Sequence, residues 1–423
     1  MIILLIFFAL LLIGIPIFMV LGISGISYIF ASGNLPLLET APQRLFSANI
    51  NFSLLAIPLF ILAGELMNHG GITKRLIKFA QVLVGHFRGG LAYVNVVTNT
   101  FLASILGSSL AQTAMMSRIM VPAMEKEGYK REFSTATTAA AAMMGPIIPP
   151  SMTFIIYSVI AETSIGTMFL AGIVPGILMG ISFVGLIAYF GYTMSFPKTE
   201  RSTFSEIITA FVQVFPALSV PIVIVGGIIL GIFTATESAA FACLIALLAG
   251  LVFYRELKKK ELPKVFLEAG VTTAIVTILI SMAKLFGLTL TFERIPQMIT
   301  EWMVSVTDNP LFFLLLINVF LLLVGMVMDG IAALIILAPI LIPAAVTYDI
   351  NLIHFGVLFC INIVIGSLTP PVGSGLFVAA STAEVKIEKL VRSLAPFLVA
   401  VVIVLLIVTY FPELIMFIPN LAK

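Results

Sequence analysis

Apolar stretches long enough to cross a bilayer recur along the whole chain, separated by short polar breaks. A crossing needs about 20 residues at about 1.5 Å each. On that measure, spans are predicted near residues 2–30, 52–68, 133–160, 165–195, 213–233, 236–254, 265–290, 353–380 and 393–418. Two further apolar runs, 91–124 and 310–346, are interrupted halfway by small or polar residues, Gly107-Ser108-Ser109 and Gly325-Met326-Val327-Met328-Asp329-Gly330. They are predicted as re-entrant hairpins, whose tips are tolerated at membrane depth only where protein or a cavity surrounds them. Ahead of each hairpin lies an amphipathic stretch, 72–88 and 294–308. There Lys74, Lys78 and Gln81, or Gln297, Glu301 and Ser305, recur at helical spacing opposite an apolar face. Both are predicted as arm helices along the membrane surface, with the ends of tilted spans as the plainer alternative.

The basic residues sort the breaks into two kinds. Segments 69–90 (Lys74, Arg75, Lys78, Arg88), 125–132 (Lys126, Lys130, Arg131), 196–206 (Lys198, Arg201), 254–264 (Arg255, Lys258, Lys259, Lys260, Lys264) and 384–392 (Lys386, Lys389, Arg392) are basic. The alternate breaks, with Glu39, Glu162, Glu237, Glu301, Asp308 and Asp349, are not. All five basic segments fall on one side if the N-terminus is cytoplasmic, the nine spans alternate and both hairpins return to their side of departure. The first apolar stretch has neither the basic start nor the short apolar core of a cleavable signal peptide, so it is expected to stay as a span.

Composition narrows the class. The chain is 61% apolar and 10% charged, against about 45–50% and about 25% in soluble domains. Lys+Arg 22 against Asp+Glu 20 leaves no basic face for nucleic acid. Cys243 and Cys360 both lie inside apolar runs, which suggests neither a disulfide framework nor a zinc site. His69, His86 and His354 lack metal-ligand spacing, and lone Trp302 reads as an interface anchor.

An internal repeat organises the chain. Pro122 and Pro343 lie 221 positions apart (343 minus 122), and the same offset links Gly145 to Gly366, Pro149 to Pro370, Pro150 to Pro371 and Pro175 to Pro396. It also lays Ser108 on Asp329. Three units are expected: a first repeat over 1–195, with its arm 72–88, hairpin 91–124 and broken helix 133–160; a connecting span over 196–235; and a second repeat over 236–423, with arm 294–308, hairpin 310–346 and broken helix 353–380. The odd connecting span turns the second repeat upside down. Inverted repeats with broken helices belong to secondary transporters, so the expected fold class is all-α integral membrane, an inverted-repeat transporter with two re-entrant hairpins and two broken helices.

The breaks read Gly145-Pro146-Ile147-Ile148-Pro149-Pro150-Ser151 and Gly366-Ser367-Leu368-Thr369-Pro370-Pro371-Val372-Gly373. Proline cannot donate to the carbonyl four residues earlier. Pro149 and Pro150 are therefore expected to free the carbonyls of Gly145 and Pro146, and Pro370 and Pro371 those of Gly366 and Ser367. Freed carbonyls suit a hard monovalent cation, while opposing half-helix N-termini suit an anion. The alternative is a pair of kinks satisfied by neighbouring helices or water. Asp329 is the sharpest intramembrane polar residue, because a carboxylate at membrane depth needs a partner or an ion. Ser108, Ser109 and Thr369 offer oxygens, though such hydroxyls more often bond to backbone. Arg118 and Lys284 could neutralise Asp329, attract an anion or snorkel to an interface.

With the repeat, the two breaks and the two hairpins assembled, the chain resembles, over nearly its whole length, the large membrane subunit of tripartite ATP-independent periplasmic (TRAP) transporters. The resemblance implies an elevator-type, Na⁺-driven importer of organic acids in the bacterial inner membrane. Its implied partners are a small membrane subunit, a periplasmic substrate-binding protein and membrane lipids. It implies one Na⁺ site between the first hairpin, with Ser108 and Ser109, and Gly145, Ile148 and Pro150, and another between Gly325 and Gly366, Thr369 and Val372. Ser108, Ser151, Asp329 and Arg118 are the candidates for substrate contact. The family's first tip often reads Ser-Gly-Ser-Ala-x-Ala-Asp, whereas here Leu106 and Gln112 depart from it. Among members the sequence looks most like those serving sialic acid, with C4-dicarboxylates next. An integral-membrane enzyme finds no support, since HExxH, G-x-S-x-G and P-loop patterns are absent. A channel fits hairpins and broken helices less well than a gated carrier does.

Overall fold

The computed structural model describes residues 2–47, 49–50, 52–193, 196 and 200–422, and among these it contains helices and no strand. The chain opens with α1 (Ile2–Leu12), α2 (Ile17–Ala31), α3 (Pro36–Ser47), α4 (Ala56–His69) and α5 (Ile72–Val84). A hairpin, α6 (Gly90–Leu106) and α7 (Ser109–Lys126), is followed by the two halves of a broken helix, α8 (Arg131–Ala142) and α9 (Met152–Ile160). Then come α10 (Ile165–Thr193), α11 (Phe204–Ile229), α12 (Ala235–Leu248), α13 (Leu262–Phe292) and α14 (Ile295–Val306). The second hairpin is α15 (Pro310–Val327) and α16 (Gly330–Thr347), the second broken helix α17 (Leu352–Ser367) and α18 (Ser374–Thr382), and α19 (Ile387–Tyr410) and α20 (Pro412–Leu421) close the chain. Among the described residues, eight helical segments are long and apolar enough to cross a membrane.

Several boundaries differ from the sequence expectation. The span expected at 2–30 is two helices, because Gly14 adopts φ +82° and Pro16 has no N–H to continue the ladder. The last expected span, 393–418, divides at Phe411, where Pro412 starts a new helix. α11 begins nine residues before the expected 213 (213 minus 204), held by a reciprocal cap in which Thr203 and Glu206 satisfy each other's backbone N–H. α3 had no counterpart in the hydropathy pattern. The first arm stops at Val84 rather than 88, with Gly85 as its C-cap, and Gly89 at φ +84° then turns the chain into the hairpin. Lys198 and the last two positions of the expected 165–195 span lie outside the described residues.

The offset of 221 recurs in the helices themselves: α7 at 109–126 maps onto α16 at 330–347, residue for residue. Packing between the matched parts is reciprocal, α7 against α18 and α16 against α9. Two groups of helices emerge. α2, α4, α11, α12 and α13 pack on one another, helped by Gly22 and Gly25 of α2 lying under Met282 and Leu285 of α13. The hairpins, broken helices, α10, α19 and α20 form the second group, around the fully buried Phe154, Phe169, Phe183, Phe359 and Phe397. The groups meet along a seam where α4 touches α6 and α9, and α13 touches α16.

Candidate functional site

Each broken helix is tied to a hairpin by backbone. The first hairpin turns at Gly107, whose φ of +60° and close approach to the Pro150 carbonyl, 3.0 Å from where a Cβ would stand, exclude a side chain there. In the second, Gly325 and Gly366 lie backbone to backbone: a Cβ on Gly366 would fall 2.6 Å from Gly325 Cα and 2.8 Å from the Leu322 carbonyl oxygen. The Gly373 N–H donates to the Met326 carbonyl at 2.7 Å, locking the second break to the same hairpin. Both double-proline bonds, Pro149–Pro150 and Pro370–Pro371, are cis.

The four carbonyls expected to be free are not equivalent. Ser151 Oγ and Thr153 Oγ1 both donate to the Pro146 carbonyl, at 2.5 and 3.0 Å. The Gly366 carbonyl accepts from the Thr369 N–H at 2.9 Å, because the last turn tightens to an i→i+3 bond. Among the described residues no donor reaches the carbonyls of Gly145 or Ser367. Beside Gly145 lies the side-chain oxygen of Gln112, which accepts no hydrogen bond, and Ser109 Oγ, also buried, has no partner. Gln112 is held by its amide: Nε2 donates to Asn99 Oδ1 at 2.8 Å, Asn99 donates to Asn95 at 2.7 Å, and Asn95 to Thr138 at 2.7 Å. The departure from the family pattern at Gln112 thus supplies an anchored oxygen at the first tip.

The two tips enclose a cavity of ≈ 300 Å³ with the seam helices as its other wall. Residues 105–111 and 329–331, Pro146, Pro150, Thr153, Ser367 and Ser374 line one side; Glu65 of α4 and Thr272 of α13 line the other. It holds two carboxylates, Glu65 and Asp329, and among the described residues no Lys or Arg. Glu65 was absent from the sequence candidates. Its signal was there, as the one charged residue of the 52–68 stretch.

The remaining candidates divide. Ser108 caps α7 by accepting from the Ala111 N–H at 3.4 Å and lines the cavity with Ser109. Ser151 is fully buried, and its hydroxyl is taken up by the Pro146 carbonyl and by capping α9, so it does not present a free donor to the cavity. The Thr369 hydroxyl is likewise spent on the Ile365 carbonyl at 2.7 Å. Ile148 packs against Gly176, while Val372 is 43% exposed. Arg118 is exposed on α7, and neither it nor Lys284 pairs with Asp329. Asp329 instead caps α16, accepting from the N–H groups of Ile331 and Ala332 at 3.1 and 3.4 Å.

That cap separates two roles. Asparagine caps about as well as aspartate, so Asp329→Asn should fold normally while removing one of the cavity's two charges. Added Na⁺ should then raise the melting temperature of the purified chain only at several-fold higher concentration than in the wild type, with membrane abundance unchanged. An unaltered Na⁺ dependence would reduce Asp329 to a cap.

The family model described as "Tripartite ATP-independent periplasmic transporter, DctM component" matches residues 4–414. The sialic acid TRAP transporter large permease protein SiaM of Vibrio cholerae is 38% identical, over 90% of this chain and 89% of that protein. The C4-dicarboxylate TRAP transporter large permease protein DctM of Pseudomonas aeruginosa is 37% identical, over 92% and 93%. The sialic acid TRAP transporter permease protein SiaT of Haemophilus influenzae is 36% identical, over 99% of this chain and 68% of that longer protein. In fold, the chain is similar to the Alcanivorax borkumensis YdaH transporter, whose crystal structure is described as revealing an unusual topology. The TM-score is 0.66 at 16% identity, covering 90% of this chain and 89% of that one.

Proposed function

The chain belongs to the family of tripartite ATP-independent periplasmic transporter large permeases, the DctM component, and on that premise we propose that it imports an organic acid driven by Na⁺. The observation that carries the coupling is the cavity's charge. An organic anion placed beside Glu65 and Asp329, with no basic side chain on the lining, is repelled unless cations enter with it. The oxygens without donors around Gly145, Ser109, Gln112 and Ser367 fit such a cation, being neutral, hard and already partly arranged. Their pairing across two breaks supports two Na⁺ sites, in the two inverted repeats read from the sequence. Two Na⁺ with a monoanion carry one net charge inward, worth about 2.3 kcal/mol per 100 mV, or about fiftyfold accumulation.

Sialic acid is the first substrate to test, because two of the relatives above are named for it, and a C4-dicarboxylate is the second. The names of those relatives also support a small membrane subunit and a periplasmic binding protein as partners. The five basic segments support an inner-membrane orientation with a cytoplasmic N-terminus. The seam between the two helix groups supports sliding of one group along the other as the transport motion. Proteoliposomes containing the chain with both partners should accumulate labelled sialic acid only under an inward Na⁺ gradient, and choline in place of Na⁺ should lower uptake at least tenfold. Equal uptake in choline would reject the coupling; transport of the dicarboxylate alone would transfer the substrate.

A further inference from the structure

We propose that Arg44 and Lys284 form a docking site for the carboxylate of the transported acid, at the opposite end of the seam from the cavity. The inference rests on the organic-acid reading above and adds the residues that first receive the substrate. α13, α16 and α9 run together along the seam. The cavity meets them at Thr272 and Val276, at residues 329–331, and at Met152 and Thr153. A groove of ≈ 280 Å³ meets the same three helices farther along, at residues 280–291, at Ile335 and Pro339, and at Val159 and Ile160. Lys284 stands eight residues beyond Val276 (284 minus 276), about 12 Å along the helix axis.

The groove is chemically the reverse of the cavity. Arg44 and Lys284 line it, and neither has an ion-pair partner within 4.0 Å among the described residues. Among the described residues Glu162 is the only acid lining it or the adjoining groove of ≈ 360 Å³, so the two cations leave an excess of one positive charge. Lys284 belongs to both grooves. In the adjoining one it is joined by two buried hydroxyls without any hydrogen-bond partner, Ser158 Oγ, 1% exposed, and Thr163 Oγ1. Hydroxyls with unspent donors beside an unpaired ammonium are the parts a carboxylate needs. At the cavity end, Glu65 lies close to His69 and Glu268, their ligand atoms within 4.8 Å of one another, and Glu268 is already paired with His69 at 3.1 Å and Lys264 at 3.8 Å, so the acids left to the cavity are Glu65 and Asp329. The groove therefore attracts an anion, whereas the cavity lining, with Glu65 and Asp329 and no Lys or Arg among the described residues, repels one.

The test uses the chain reconstituted with its small membrane subunit and binding protein, at equal membrane abundance. Lys284→Ala and Arg44→Ala should each raise the half-saturating concentration of loaded binding protein about five- to tenfold and leave the maximal rate within about twofold, with a weaker dependence on ionic strength. Lys284→Arg should restore wild-type behaviour, and Lys284→Glu should exceed Lys284→Ala. Unchanged half-saturation in Lys284→Ala and Arg44→Ala, with an active wild-type chain, overturns the site and leaves the transport reading standing. An inactive wild-type chain overturns both. Reduced retention of substrate-free binding protein by the immobilised Lys284→Ala complex also overturns the site, because the lysine would then be contacting the partner protein.

Discussion

Gly366→Ala should lower uptake at least tenfold, because the added methyl group meets backbone rather than a movable side chain. The new Cβ would stand 2.6 Å from Gly325 Cα and 2.7 Å from the Gly325 carbonyl carbon. Both are backbone atoms, so no rotamer change relieves the clash; α15 and α17 must separate. Separation strains the bond from the Gly373 N–H to the Met326 carbonyl, which sits at the same tip. Overpacking of this kind costs about 1–3 kcal/mol. Uptake should fall further than stability, at least tenfold, because the displaced parts line the candidate ion site. Gly325→Ala should act in the same direction but more weakly, its nearest neighbours being 3.0–3.2 Å away. Gly226→Ala is the control: a Cβ there meets nothing within 4 Å, and the helix gains up to about 1 kcal/mol. Uptake by variants at matched membrane abundance, with thermal unfolding in detergent, reads both effects. Wild-type uptake by Gly366→Ala would show that the close approach does not hold the tip.

How much of this could be read from the sequence depended on whether a single residue type enforced the feature. The two breaks were legible because a double proline removes two donors wherever it stands, and the hairpin turns because Gly107 and Asp329 interrupt otherwise apolar runs. The offset between the repeats was legible for the same reason. The division of the first apolar stretch was not, since Gly14 and Pro16 barely change its hydropathy. Nor was α3, which lies at a polar break. Which carbonyls stay free was beyond the sequence: Pro146 loses its backbone partner as expected but gains two hydroxyls, and the Gly366 carbonyl is recaptured by the Thr369 N–H. Those outcomes follow from turn geometry that composition does not encode. The cavity's far wall was likewise hidden, because Glu65 and Thr272 come together only when α4 packs on α13. Gln112 was noticed as a departure from a pattern, yet its anchorage through Asn99 and Asn95 is tertiary.

The hydroxyl clasp on Pro146 gives the second large effect, and it decides what Ser151 does. Pro150 has no N–H, so the buried Pro146 carbonyl depends on Ser151 and Thr153, whose hydroxyl oxygens lie 2.9 Å apart and both reach it. Thr153→Val removes one donor and leaves the shorter bond, so it should change stability by less than about 1 kcal/mol. Ser151→Ala loses the cap on α9 as well, at about 1 kcal/mol, while Thr153 still holds the carbonyl. The double variant leaves a buried acceptor with no donor, which costs about 1–3 kcal/mol beyond the two single losses together. Uptake should then drop at least tenfold, because the same segment carries the Gly145 carbonyl and the Pro150 contact with the first hairpin tip. A serine that touched substrate would behave in the opposite way. Ser151→Ala alone would shift half-saturation for one organic acid over another without lowering the melting temperature, and adding Thr153→Val would change little more. Melting curves for the two single variants and the double, measured beside their uptake kinetics, separate a clasp that shapes the break from a ligand that reads the cargo.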